Sequence, residues 1–161
     1  MDGCCHEMRR GEIGEICIRS GSVIKGYWNN PAATAESFTA GFWHSGDLGS
    51  IDAQNFVRVF DRQKDMINRG GLKIYSAEVE SVLAGHPDVI ESAIIAKPCP
   101  VLGERVHAVV VTRNAVGGEV LRAWCAERLS DYKVPETMDV RSDPLPRNAN
   151  GKVMKRQLRE A

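Results

Sequence analysis

DRQKDMINRGGLKIYSAEVE, Asp61 to Glu80, decides how this chain is divided and what its second part becomes. DRQKD is charged and reads as a linker. Two short apolar runs then flank Gly70-Gly71, the pattern of a β-hairpin closed by a tight turn. Ser76 reads as the N-cap of a following helix. Val79 stands three residues on, so the capping box is incomplete, but Ala77 to Leu83 keeps helical spacing. Gly85 and Pro87 end that helix.

Working toward the C-terminus, VIESAIIAK and ERVHAVVVTR are rich in β-branched residues and read as strands. Gly118 to Leu129 has amphipathic spacing, with Val120, Leu121, Trp124 and Leu129 expected inward. Glu136 to Arg141 reads as a third strand and Val153 to Arg159 as a last helix. The expected class is α+β: a small C-terminal domain with a three-stranded sheet flanked by helices, plus the two-stranded hairpin.

Working toward the N-terminus, Glu12 to Ser20 alternates closely enough for a strand. Gly21 to Asn30 reads as a loop, and Pro31 to Phe38 as a short helix with proline in its first turn. GFWHSGDLGSID reads as a loop between strand-like Gly41 to Trp43 and Phe56 to Phe60. These hairpins have no evident core, and so few apolar contacts leave a unit of that size marginal by itself.

The bulk numbers bound the function. The 161 residues suit one domain, or one small domain plus a piece of another, with 43% apolar and 26% charged residues. Lys plus Arg and Asp plus Glu both number 21, which argues against a general polyanion binder. The five cysteines include no CxxC pair. Cys4, Cys5 and His6 lack a second ligand pair, so no metal site is expected and reduced thiols are. No apolar run approaches the ~18 residues of a membrane span, and the first residues lack the apolar core of a signal peptide. Met1 to Arg10 nevertheless reads like the middle of something longer.

Three polar segments sit where core formation does not need them. In HSGDLG, Asp47 on a Gly-flanked stretch can accept two hydroxyls, as a ribose diol requires; an Asx turn before a strand is the plainer alternative. In DRQKDMINRGGLKI, the glycine pair permits close backbone approach to a ligand and the cations can hold phosphate; a solvated linker and hairpin turn explain the same residues. In PRNANGK, Lys152 follows a turn and opens a basic helix, which is also how an exposed turn looks. It is not a phosphate-binding GxxxxGK[ST] loop, because no glycine precedes at the right spacing and Val153 replaces the Ser or Thr.

Taken together, GEIGEICIRSGSVIKGYWNNPAATAESF, GFWHSGDLGSID, DRQKDMINRGGLKIYSAEVESVLAGHPDV, GERVHAVVV and PLPRNANGKVMKRQLR resemble, in order, the adenylate-forming superfamily. That family comprises acyl- and aryl-CoA synthetases, peptide-synthetase adenylation domains and beetle luciferases. The resemblance covers nearly the whole chain and implies its carboxyl-terminal part. Residues 1–63 match the terminal β-rich piece of the large N-terminal AMP-binding domain, and residues 64–161 the mobile C-terminal domain. The large domain's phosphate loop and its adenine- and magnesium-binding segment have no counterpart here.

The resemblance also implies roles. Asp47 matches the acid that binds the AMP ribose hydroxyls, and Arg62 an arginine at ribose or phosphate. Lys64 matches the hinge. Gly70, Gly71 and Leu72 match the tunnel for the pantetheine arm of CoA, and Lys73 lies where a basic or polar residue approaches phosphate. Lys152 matches the adenylation lysine. Asn68 departs from luciferase-like members, which carry a second lysine there, so no second catalytic cation is expected.

The function so implied is that of an ATP-dependent carboxylic acid–CoA ligase, cytoplasmic and inactive as this piece alone. It would use an acid, ATP and CoA, with Mg2+ held mainly by the absent domain. The wording of GGLKIYSAEVE is nearer to ligases for medium- and long-chain or aryl acids, as in fatty acid metabolism, than to acetate ligases. One rival is an adenylation domain that loads a carrier-protein thiol. Another is a non-catalytic binding module whose tail KVMKRQLR contacts nucleic acid or an acidic partner; zero net charge and a basic tail confined to one turn argue against it. Which acid is used and the oligomeric state are not legible.

Overall fold

The computed structural model describes Met1 and residues 6–160. Cys4 and Cys5 lie outside the described residues. By contacts the chain divides into two compact units, Met1–Lys64 and Asp65–Ala161.

The first unit contains β1 (Gly14–Ile18), α1 (Pro31–Ser37), β2 (Phe38–Thr39), β3 (Phe42–Ile51) and β4 (Val57–Arg62). Asn30 caps α1, its side chain accepting from the Ala33 N–H at 3.0 Å, and Pro31 takes the first helical position. The strands form one antiparallel sheet with β3 at its centre: β1 lies on one edge, and β2 and β4 share the other.

HSGDLG, expected as a loop, is instead the middle of β3. Pairing on both edges overrides the low strand propensity of its glycines. Gly49 is required by that pairing, since a Cβ there would stand 2.5 Å from the Arg58 carbonyl oxygen and 2.7 Å from Ile16 Cδ1. DRQKD is likewise only partly a linker. Asp61 and Arg62 finish β4, and Gln63–Asp65 make a single 3₁₀ turn.

The second unit contains β5 (Ile67–Arg69), β6 (Leu72–Ile74), α2 (Ser76–Ala84), β7 (Val89–Cys99), β8 (Gly103–Thr112), α3 (Gly118–Ala126), β9 (Thr137–Arg141) and α4 (Lys155–Glu160). The fold is α+β. β8 is the central strand, antiparallel to β7 along its length and parallel to β9 on the other edge. The expected hairpin, β5–β6, joins that second edge through Arg69 opposite Gly103, so hairpin and three-stranded sheet are one sheet.

Two cores follow from the pleat. Ile94, Val106, Ala108 and Val110 pack with Val79 and Leu83 of α2 and with Leu121 and Cys125 of α3. Ala93, Ile95, Val109 and Val111 pack with Leu145 and with Leu158 of α4. Alternate residues point to opposite faces of a strand, so both faces of the sheet are covered.

Two sequence expectations are corrected here. Ser76 is not the cap of α2. Tyr75 stands at that position without a side-chain cap, and buried Ser76 instead accepts a hydrogen bond from Lys155 Nζ at 2.7 Å. In α3, Val120 is 56% exposed, while Leu121 and Cys125 are fully buried. Neighbouring helix residues point about 100° apart, so the Leu121–Cys125 stripe carries Val120 off the core. Burial raises the Cys125 thiol to about 11, so it behaves as a small apolar side chain.

Leu121→Ala is expected to lower unfolding stability by about 2–5 kcal/mol, and Val120→Ala to stay within about 0.5 kcal/mol of the parent. Urea denaturation of the two variants checks this; equal losses would contradict the stripe.

His107 in β8 is buried, with Nδ1 2.7 Å from Thr137 Oγ1. Burial, and then the charge of Lys97, lowers its pKa from the ordinary 6.5. Below about pH 6.5, the unfolded chain therefore takes up the proton before the folded one. Stability is full above that pH and falls until the folded ring also protonates. A stability-versus-pH curve should show this acid loss in the parent and a flatter slope in His107→Gln.

Candidate functional site

The hairpin turn explains two of the glycines. Arg69 pairs with Leu72, leaving Gly70 and Gly71 as a two-residue loop with φ of +58° and +88°. Positive φ at both positions is the primed turn that matches strand twist. The Gly70 N–H donates to the Leu102 carbonyl at 2.8 Å, and the Gly71 N–H to Asn68 Oδ1 at 3.1 Å. Asn68 therefore braces the turn. A Cβ on Gly71 would meet nothing within 4 Å, so its outer side is open. Leu72 and Lys73 continue into β6, exposed, with Lys73 opposite Asn68.

Lys152 stands on a different turn, between β9 and α4. Arg147 and Val153 form a bridge that closes it, and Gly151 takes φ +77° at its tip. The Asn148 N–H donates to the Lys152 carbonyl at 2.9 Å, and Asn148 Oδ1 accepts from the Lys152 N–H at 2.9 Å. The Lys152 side chain is exposed. The loop hangs from Glu91 on β7, which pairs with Arg147 and accepts the Leu145 N–H at 2.8 Å.

The two turns lie at opposite ends of one ladder. Glu91 pairs with Val111, whereas Cys99 pairs with Gly103, beside the hairpin. Glu91 to Cys99 is eight steps of strand, about 26 Å at the usual rise. The unit thus presents an ammonium at one end and a side-chain-free turn at the other. Both cannot touch one reacting atom in a single pose.

In the first unit, Asp47 and Arg62 face each other across β3 and β4, with Arg62 Nε 2.7 Å from Asp47 Oδ1. Their side chains are 31% and 45% exposed, so this carboxylate is reachable while held. Glu15, which the sequence reading did not single out, supports the stretch before it. Its Oε2 lies 2.7 Å from His44 Nδ1 and its Oε1 accepts the Gly46 N–H at 3.1 Å. Glu15 pairs with Leu48 and its neighbour-but-one Cys17 with His44, so its link to His44 exists only through strand register. Lys64 lies within the 3₁₀ turn, at the last position of the first unit.

Glu15, Cys17 and His44 bring donor atoms within 4.8 Å of one another. Both Glu15 oxygens are already engaged, and a thiol and an imidazole do not suit Mg2+, which takes oxygen ligands. Among the described residues, no helix is long and apolar enough to cross a membrane.

Residues 78–152 match the AMP-binding enzyme C-terminal domain. The chain is 44% identical over 151 residues to a feruloyl-CoA synthase from an Amycolatopsis species, a match covering 92% of this chain and 30% of that protein. It resembles the o-succinylbenzoate CoA synthetase of Bacillus subtilis, solved with its acyl-adenylate intermediate: TM-score 0.89, 40% identity, 96% of this chain and 32% of that one. An amide bond synthetase from Marinactinospora thermotolerans is also similar, with TM-score 0.86, 34% identity, and coverage of 99% and 33%. The chain thus spans about a third of the length of these relatives. It belongs to the adenylate-forming superfamily, with the family's AMP-binding C-terminal domain in its second unit.

Proposed function

We propose that these residues are the C-terminal portion of an ATP-dependent carboxylic acid–CoA ligase, cytoplasmic and unable to form acyl-adenylate by themselves. Residues 1–63 would be the closing β-rich piece of the large AMP-binding domain, and residues 64–161 the mobile domain. The observation that carries the proposal is the separation of the Lys152 turn from the Gly70–Gly71 turn by the length of β7. Two turns of opposite chemistry that cannot serve one centre together fit two reactions served in turn.

In the first, a carboxylate oxygen of the acid attacks the α-phosphorus of ATP, and the bond to pyrophosphate breaks. Anions converge and charge develops on the phosphoryl oxygens. The Lys152 ammonium stabilises that charge, an effect of about 2.7–4 kcal/mol for one well-aimed donor. Asp47 accepts the ribose hydroxyls, and Arg62 both orients it and contacts ribose or phosphate.

In the second, the CoA thiol attacks the acyl carbonyl and AMP leaves. Gly70, Gly71 and Leu72 border the pantetheine path, with Lys73 toward phosphate. Rotation about Lys64 exchanges the two turns, a hinge motion. Mg2+ would be held outside these residues, since the donors gathered at Glu15 do not suit it.

CoA as acceptor is favoured by the names of the feruloyl-CoA and o-succinylbenzoate CoA synthetases. The amide bond synthetase shares the frame, so the acceptor is the finer part of the proposal, and a carrier-protein thiol is its alternative. An aryl or a medium- to long-chain acid is the proposed substrate class.

In the complete enzyme, Lys152→Ala should cut acid-dependent ATP–pyrophosphate exchange by about 10²–10³-fold. Conversion of supplied acyl-adenylate to thioester should stay near the parental rate. Equal loss in both half-reactions would sink the alternating scheme.

Gly71→Asn should do the reverse. Asparagine tolerates positive φ, so the turn survives while a side chain enters the open space. Adenylation should persist and thioester formation should fall, read as acyl-adenylate accumulating when CoA is present. Parental CoA transfer would remove Gly71 from the path.

A further inference from the structure

Resting on the reading of Lys152 as the adenylation lysine, we propose that Glu91, Arg147 and Asn148 are positioning residues that aim it. The peptide unit between Gly151 and Lys152 is held at both ends. Its carbonyl oxygen accepts from Arg147 Nη1 at 2.6 Å, and its N–H donates to Asn148 Oδ1 at 2.9 Å. The next carbonyl, that of Lys152, accepts from the Asn148 N–H at 2.9 Å.

A planar peptide fixed at its oxygen and its nitrogen sets the direction in which the next Cα projects its side chain. Only the lysine's own rotamers then remain free. Asn148 Oδ1 also accepts the Asn150 N–H at 3.1 Å, so one amide oxygen shapes the whole turn.

The clamp is anchored in the sheet rather than in the loop. Arg147 Nη2 pairs with Glu91 Oε2 on β7, while Glu91 Oε1 holds the Leu145 N–H at 2.8 Å. Arg147 therefore bridges strand and turn with two nitrogens of one rigid fork, which a lysine's single ammonium cannot reproduce. Loss of the fork frees the turn without touching either core, because Arg147 and Asn148 are both outside them.

The test compares Arg147→Lys, Asn148→Ala and Asn148→Asp in the complete enzyme, with Lys152→Ala alongside. Arg147→Lys and Asn148→Ala should lower kcat for adenylation by about 10²-fold, the scale of a misplaced reacting group. KM for ATP, thioester formation from supplied acyl-adenylate, and Tm should stay parental. Asn148→Asp, which keeps the acceptor oxygen, should recover most of the loss. A parallel fall in both half-reactions, a lowered Tm that tracks the loss, or parental adenylation would overturn the proposal.

A second arm does not depend on the role of Lys152. In the 161-residue chain, amide exchange at Lys152 should speed about tenfold in Arg147→Lys and Asn148→Ala, the scale of one lost hydrogen bond. Amides of β7 and β8 should keep their protection. If Lys152→Ala leaves adenylation intact while this exchange still speeds, the lysine's assigned role has failed and the proposal falls with it, although the clamp stands as structure. Unchanged exchange refutes the clamp itself.

Discussion

β8 has apolar residues on both faces and strand partners on both edges, and the second unit is organised by that constraint. Val106, Ala108 and Val110 must be covered on one side, Val109 and Val111 on the other. Neither a single helix layer nor an open sheet does this. The chain covers one face with α2 and α3, and then returns through Leu145 and α4 to cover the other. The C-terminal segment that bears Lys152 is part of this second cover.

Edge control and loop placement use the same side chains. Among the described residues β7 pairs only with β8, so the N–H groups of its outer edge have no strand partner. Glu80 takes the Ile94 N–H at 2.8 Å and also pairs with Lys155, while Glu91 holds the Leu145 N–H and pairs with Arg147. Each acid thus ties the C-terminal segment to the strand. The Lys152 turn lies between these two ties.

The first unit differs in kind. Among its described residues no large apolar side chain is fully buried, and Trp28 and Phe56 are 98% and 72% exposed. A sheet with so little buried surface has little hydrophobic stabilisation of its own. That agrees with the proposed origin of this unit as a piece of a larger domain. Its ordered feature is polar: Glu15, His44 and the Asp47–Arg62 pair, held by strand register.

Local signals determined a good part of this protein. Gly70-Gly71 between apolar runs dictates a primed hairpin turn, because both positions need positive φ. The β-branched runs of β7 and β8 dictate strands, and several ordered motifs together sufficed for the family. The tertiary structure decided what depends on partners distant in sequence. HSGDLG became strand because two neighbours pair with it, and Gly49 is required only by Arg58 and Ile16. Ser76 turned from cap to acceptor because Lys155 reaches it, and Val120 lost its expected burial to the Leu121–Cys125 stripe. Glu91 carries no sequence signal as a support for Lys152. Its role exists because β7 and the C-terminal turn meet in space, and composition and periodicity report propensities along the chain, not which groups the folded chain brings together.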